Sequence, residues 1–461
     1  MNRADFRLLS GGIALLVLTL AGLALHVPGT DALGTGWRAE SFVALFVLAG
    51  AIYLAVAAAL LRGPGETGRH GLLIVLVVAA LLRLPLILAP PFLSTDLYRY
   101  VWDGRVAVAG INPYLYVPDA SALGFLRDGV IFPLINRASY AHTIYPPMAQ
   151  DVFQTVVRLG GSVAAMKGAM VAAECLAVAA LLALLARARL PAARVALYAW
   201  NPLGVWAFAG NGHVDALAIA LLGLALLAAT SRRQGMAGML GGAAIAVKFL
   251  PALMLPPLWR ARRLRFAVAA LLTVGLLYLP YIAVGWRVLG FLPGYAHEEG
   301  LRSGRGLWPL DLLGAALHSG LGVMLPGFAA PLYLALVAVA LAGIGLAIAF
   351  RSLPTDEPGA IRGMATGMAT LGVAGMLAIS PHYPWYFVWL ALPAVLAPSR
   401  AALFLSVAPG LLYLDPWHER LIWPALVYAP AWALALRDAW HPLSRPLPIL
   451  PRQAALPARS D

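Results

Sequence analysis

Residues 71–105 read GLLIVLVVAALLRLPLILAPPFLSTDLYRYVWDGR. Residues 71–90 are apolar apart from Arg83. That is about the 20-residue length a helix needs to cross a hydrocarbon core. The chain then turns polar and aromatic at once, with Asp96, Arg99, Asp103 and Arg105 set among Tyr98, Tyr100 and Trp102. A membrane span that delivers its end straight into acidic, basic and aromatic side chains sets the pattern for the whole chain.

The composition extends that reading. Of 461 residues, 61% are hydrophobic and 11% charged, and the mean hydropathy is +0.81. Soluble domains carry about 25% charged residues, so a string of soluble domains is excluded. The net charge of +13 does not point to nucleic acid, because the basic residues stand at the ends of apolar runs and form no stripe. One cysteine, Cys175, excludes an internal disulfide and a cysteine-based metal site.

Twelve candidate spans follow: 8–27, 41–61, 71–90, 162–186, 193–210, 213–230, 266–285, 323–350, 363–380, 384–398, 401–415 and 420–436. The first is too long for a signal-peptide core and is read as an uncleaved helix. With both termini cytoplasmic, 20 of the 33 basic residues fall inside and 11 outside, the bias expected of cytoplasmic loops. The apolar segment 236–259 has basic clusters on both sides and is too short for two crossings. It is read as a re-entrant hairpin turning near Lys248 and Pro251, its backbone lining a cavity or buried in protein. The expected fold is therefore a single all-α integral membrane domain over 1–461, of about 12 transmembrane helices. External segments lie at 91–161, a helical loop at the membrane surface, and at 286–322; a cytoplasmic tail occupies 438–461.

Asp96, Arg99 and Asp103 share one face of a helix by spacing. Charged residues at a membrane boundary are costly unless paired or functional, although an interfacial amphipathic helix explains the same pattern. Other polar groups gather on the same side. They are Asn211, His213 and Asp215 in GNGHVDAL, His382, Trp385 and Tyr386 in SPHYPWYFVW, and the 297–306 run HEEGLRSGRG. Each has an ordinary alternative: a turn capped by a helix N-terminus, an aromatic belt, a solvated loop. Glu174, mid-span, is read as neutral or paired with another helix.

The combination STDLYRYVWDGRVAVAGINPY (94–114), TIYPPMAQ, WNPLGVWAFAGNGHVDAL, AVKFLPALMLPPLW and SPHYPWYFVWL resembles the GT-C-fold glycosyltransferases that use polyprenyl-phosphate sugars. Within these it is most similar to bacterial mannosyltransferases that use polyprenyl-phosphate mannose. The resemblance spans about residues 70–400. It implies a GT-C-like fold and an inverting transfer of a hexosyl residue, mannose, to a glycan or glycolipid acceptor. The reaction would occur at the outer face of the cytoplasmic (inner) membrane. It also implies a catalytic acid in the first external loop, here Asp96. The loop has no Asp-x-Asp or Glu-x-Asp pair, so a bound metal is not implied and no cofactor is required.

Glycosyl transfer needs a base for the acceptor hydroxyl, cations for the departing phosphate and hydrogen-bond partners for the sugar. Asp96 is the candidate base. Arg99, Arg105 and Lys248 are the candidate phosphate binders. Asp103, Asn112, Asn211, His213, Asp215 and His382 are the candidate polar sugar or acceptor contacts, and Tyr114, Tyr145, Trp385 and Tyr386 the stacking faces. A secondary transporter or flippase is the competing expectation, but it calls for internal repeats and midplane sites, and no repeat is evident. A noncatalytic membrane subunit is the third.

Overall fold

In hydrocarbon every backbone N–H and C=O needs a partner within the protein, so apolar runs fold as helices. The computed structural model describes residues 2–25, 36–62, 69–260, 263–301, 303–415 and 420–441. Among the described residues there is no strand. Twelve helices frame it: α1 Arg3–Ala24, α2 Trp37–Arg62, α3 Arg69–Leu88, α4 Asp96–Val108, α5 Pro147–Arg158, α6 Val163–Arg187, α7 Asp215–Thr230, α8 Gln234–Ile245, α9 Arg263–Tyr278, α10 Ala329–Phe350, α11 Glu357–Ile379 and α12 Ile422–Trp440. Residues 442–461, most of the expected tail, and Arg302 lie outside the described residues.

Seven helices among the described residues are long and apolar enough to cross a membrane: α1, α2, His70–Leu88 in α3, α6, the run Arg263–Glu298, α10 and α11. The chain is a multi-pass membrane protein. The count is lower than the twelve expected by five: the run at 420–436, α12 with Pro430 inside it, is not among the seven, and four others depart for two physical reasons. The runs at 193–210 and 213–230 are not two straight spans. Pro202–Gly210 and Asp215–Thr230 meet at a bend of 119°, an eighth span if the pair is taken as one. The runs at 384–398 and 401–415 fold as the shorter Pro384–Leu396 and Arg400–Leu414, with Pro384, Pro393 and Pro409 breaking the regular pattern. Trp389, Leu390 and Leu392 there are wholly buried. Their apolarity serves the protein interior, and hydropathy alone does not separate a buried core segment from a lipid-facing one.

Segment 236–259 goes out and returns. It leaves beside the end of α7, climbs as α8, reverses at Lys248 beside Asp215 at the start of α7, and descends through two tight turns, Leu250–Met254 and Pro256–Leu258. At the far end Arg260 bonds the carbonyl of Arg351 (2.7 Å), just past α10. The glycines of α8 allow its close seat on α9: a Cβ at Gly242 would stand 2.5 Å from the Ala270 carbonyl oxygen.

Two buried cations fasten α3 to α6. Arg83 grips Glu174 with two guanidinium nitrogens (2.9 and 2.5 Å) and bonds the Ala199 carbonyl. Glu174 is thus paired with another helix, one of the two states expected for it. Lys167, fully buried, donates to the Leu86 and Ala89 carbonyls (3.0 and 2.6 Å) at the end of α3. A cation there satisfies carbonyls that the helix end leaves open.

Removing one partner of a buried ion pair strands the other charge at a cost of about 3–5 kcal/mol. Glu174→Ala is expected to lower the unfolding temperature of the detergent-solubilised protein sharply. The double variant Arg83→Leu with Glu174→Leu should recover most of the loss. An unchanged unfolding temperature in Glu174→Ala would show that the pair does not secure α3 to α6.

Candidate active site

The end of α3 is carried to α4 through residues 89–95, and the bent turn before α7 holds that linker. The Asn211 side-chain oxygen accepts from the backbone N–H of Phe92 (3.2 Å) and Leu93 (2.9 Å), while its amide donates to the Trp206 carbonyl. Gly212, at φ +66°, makes this contact feasible, because a Cβ there would stand 2.5 Å from Leu97 in α4. Asp96 opens α4, its N–H donating to Ser94 Oγ. An acid in the first turn is favoured by the helix dipole.

α4 packs into the protein: Leu97, Arg99, Tyr100, Val101, Trp102 and Asp103 are all buried. Spacing placed Arg99 and Asp103 on one face, and there they pair: Arg99 Nε to Asp103 Oδ1 is 2.8 Å. Arg99 also donates to the Ala141 carbonyl, and Gln150 donates to Asp103 and Thr143.

The Asp96 carboxylate accepts from the Asn136 amide at 3.0 Å. His213 Nδ1 stands 3.8 Å away, too far for a hydrogen bond. The His213 ring stacks on Trp385 (centroids 4.0 Å apart), which in turn stacks on Tyr383 (4.6 Å). Deeper, Lys248 Nζ lies 2.8 and 3.0 Å from the two Asp215 oxygens and 3.8 Å from the Tyr386 ring centre. Trp389 Nε1 donates to the same Asp215 at 2.8 Å. Burial raises the Asp96 carboxyl above the usual range, against the lowering effects of the Asn136 amide, Arg137 and Lys248.

These groups surround a cavity of about 840 Å³. Of the residues singled out from sequence, the structure brings Asp96, Arg99, Tyr145, Lys248, Trp385 and Tyr386 onto its wall. The others are not on it. Arg105 is ion-paired with Asp128. Burial works against ionisation of Asp128, yet the Ile131 N–H, Arg105 and two further N–H groups outweigh it and hold the carboxyl down at about 2. Asn112 accepts from the Tyr114 N–H, and Tyr114 donates to the Tyr145 carbonyl. Asn211 and Asp103 support the linker and Arg99. His213 and Asp215 stand behind Trp385 and Lys248. His382 faces Glu299 at 3.5 Å beside a second, smaller cavity of about 160 Å³.

The wall also includes residues not selected from sequence: Asn136, Arg137, Tyr140, Tyr295 and Tyr383. Arg137 pairs with Glu298 (2.6 Å), which also accepts from Tyr140. Glu298 was visible only as one charge in the 297–306 run. Asn136 and Arg137 stand in an irregular stretch of the first external segment where no periodicity marks which side chain turns inward. Among the described residues no three metal-ligating side chains converge.

A carboxylate, a lysine and stacked aromatics around one cavity are parts that a group-transfer enzyme uses. The chain belongs to the alpha-(1->6)-mannopyranosyltransferase family, whose N-terminal-domain model it matches over residues 7–262. It is 28% identical over 394 residues to alpha-(1->6)-mannopyranosyltransferase A of Mycobacterium tuberculosis, covering 78% of this chain and 73% of that protein. No solved structure gives a significant match. Membership makes the chain a glycosyltransferase, in line with the resemblance read from its motifs and against the transporter and noncatalytic readings.

The Asn136 amide stabilises the ionised form of Asp96, so removing it should raise that carboxyl further. A base must be ionised, so in Asn136→Ala the acidic limb of kcat/KM is expected to move to higher pH, with the high-pH plateau changed less. A limb that stays in place would separate Asn136 from the ionisation that limits turnover.

Proposed function

We propose that the protein transfers a mannosyl residue from a polyprenyl-phosphate-linked donor to a glycan or glycolipid acceptor, with inversion, at the outer face of the cytoplasmic membrane. In this reading both termini are cytoplasmic and segments 91–161 and 286–322 are external. Segment 236–259 is re-entrant; its reversal at Lys248 supports this. The observation that carries the reading is a difference among carboxylates. Asp103 is paired with Arg99, Asp215 with Lys248 and Glu298 with Arg137, and Asp415 accepts from the Arg420 backbone N–H, whereas Asp96, at the start of α4 beside Lys248 and the stacked rings, is held by a side-chain amide. A carboxylate neutralised by a cation is a poor proton acceptor; Asp96 keeps its basicity while one oxygen is fixed in direction.

The acceptor hydroxyl attacks the anomeric carbon as its proton passes to Asp96. The new carbon–oxygen bond forms as the bond to the donor phosphate breaks, and the electron pair leaves with the polyprenyl phosphate. Lys248, with an ammonium face still open to the cavity, and Arg137 are placed to receive that charge, with Arg99 behind them. Trp385, held between the His213 and Tyr383 rings, and Tyr386, beneath Lys248, contribute ring edges to the wall where the sugar would lie. Leu93, Ile144, Phe291 and Leu414 form an apolar part of the wall, suited to the first units of a prenyl chain.

The direct test is purified protein in detergent with polyprenyl-phosphate mannose, following acceptor-dependent loss of donor. A general base contributes about 10²–10⁴-fold, so Asp96→Asn should lose turnover by that factor while donor binding persists. Near-wild-type turnover would remove Asp96 from the base role. Orientation is checked by labelling a cysteine placed at Ala120 in a Cys175→Ala background. Labelling from outside intact cells is expected, and labelling only after permeabilisation would invert the arrangement.

A further inference from the structure

A second cavity, of about 1060 Å³, lies at the other end of the molecule and has no part in the proposed transfer. Its distance from the active site follows from α6. Lys167, near the start of α6, is bonded to the end of α3 just ahead of Asp96. Arg187 ends α6 and lines the second cavity. At 1.5 Å per residue the helix between them spans about 30 Å, the thickness of a hydrocarbon core.

Five arginines from separate elements face this cavity: Arg187, Arg232, Arg260, Arg263 and Arg351. One carboxylate, Glu357, stands among them, half exposed and 3.7 Å from Arg187. A bias of basic residues toward one membrane side would leave them spread over loops. Here the fold holds three of them in place and leaves Arg232 and Arg351 exposed at the rim. Arg187 is turned inward by Thr230 and Ser231 (3.2 and 2.7 Å), and Arg260 by the Pro257 and Arg351 carbonyls. Arg263 lies over the Phe350 ring at 4.2 Å, with its Nε lacking a hydrogen bond among the described residues. Arg232 holds a left-handed backbone, φ +58°, a conformation uncommon for a residue with a Cβ. Like charges brought together repel unless an anion offsets them.

The apolar side of the cavity continues onto lipid-length surface. α9 and α10 run away from it with Leu271, Leu276, Leu336 and Val339 exposed. We propose that this cavity binds the phosphate headgroup of an anionic glycerophospholipid in the leaflet on that side, its acyl chains lying along α9 and α10. Guanidinium forks match phosphate oxygens two at a time, and the tails explain why the basic cavity opens beside apolar helices.

The test is native mass spectrometry of the full chain from micelles holding equal amounts of dioleoyl phosphatidylglycerol and dioleoyl phosphatidylcholine. Preferential retention of phosphatidylglycerol is expected. A lost charge-assisted bond corresponds to about a tenfold weaker affinity, so Arg187→Gln with Arg351→Gln should abolish the preference. Arg232→Gln keeps the test valid if that pair fails to fold, because its guanidinium makes no hydrogen bond among the described residues; it should weaken retention. Millimolar inorganic phosphate should not displace the lipid. Equal retention of the two lipids, retention of phosphatidylglycerol unchanged in Arg232→Gln, or its full displacement by inorganic phosphate would overturn the proposal.

Discussion

Lys248 holds its ammonium on Asp215, and that contact pins together two irregular stretches of backbone. Asp215 begins α7 after a 119° bend; Lys248 sits where the 236–259 segment reverses. Neither stretch satisfies its own backbone as a straight helix does, so each needs the other and the protein around it. A buried carboxylate without its cation, or the reverse, would be strongly unfavourable. The pair is therefore both the fastener of the cavity floor and the reason a positive charge can be kept at that depth. Trp389 and Tyr386 complete the enclosure, one donating to the carboxylate and the other offering its ring face to the ammonium.

The same economy recurs above the floor. Arg99 with Asp103, Arg137 with Glu298 and Arg105 with Asp128 each settle a charge that the membrane boundary would otherwise penalise. The pairs serve different ends. Arg99 is fixed as part of the cavity wall with Gln150 and Ala141 behind it, while Arg105 and Asp128 close a loop away from the cavity. Asn211 does the work of a splint: its side chain replaces the hydrogen bonds that the linker before Asp96 lacks. A position chosen for its polarity thus turns out to act on backbone geometry, one step removed from the cavity.

How far the sequence could be read depended on which signal carried each feature. Long apolar runs are unambiguous, so α1, α2, α3, α6, α10 and α11 stood out. The segments at 193–210 and 384–415 have the same composition but end in the protein interior, and hydropathy cannot tell burial in protein from burial in lipid. The expectation of a turn near Lys248 came from two basic clusters around a short run, which admit few paths. Asp96, Lys248, Trp385 and Tyr386 were legible as cavity residues because each interrupts an apolar context. Asn136, Arg137 and Glu298 were not, because polar residues in an irregular loop look alike until the loop is folded. Pair partners were equally hidden: nothing in the sequence singles out Asp128 as the partner of Arg105, which the folded loop at 128–132 supplies.

The two ends of the molecule solve opposite electrostatic problems with similar parts. Around the cavity that holds Asp96, Arg99, Arg137 and Lys248 are each matched to a carboxylate, while Asp96 is held by the neutral Asn136 amide. At the opposite end, five arginines line a cavity with one carboxylate, and two of them, Arg187 and Arg260, are held by hydroxyls and carbonyls that cannot neutralise them. A balanced cavity suits a reaction in which charge moves from one site to another and returns, because neither state is held too tightly. An unbalanced one suits a permanent anion. α6, carrying Lys167 and Glu174 as fasteners along its length, runs from the end of α3 to the arginine-lined cavity and so sets the separation between the two.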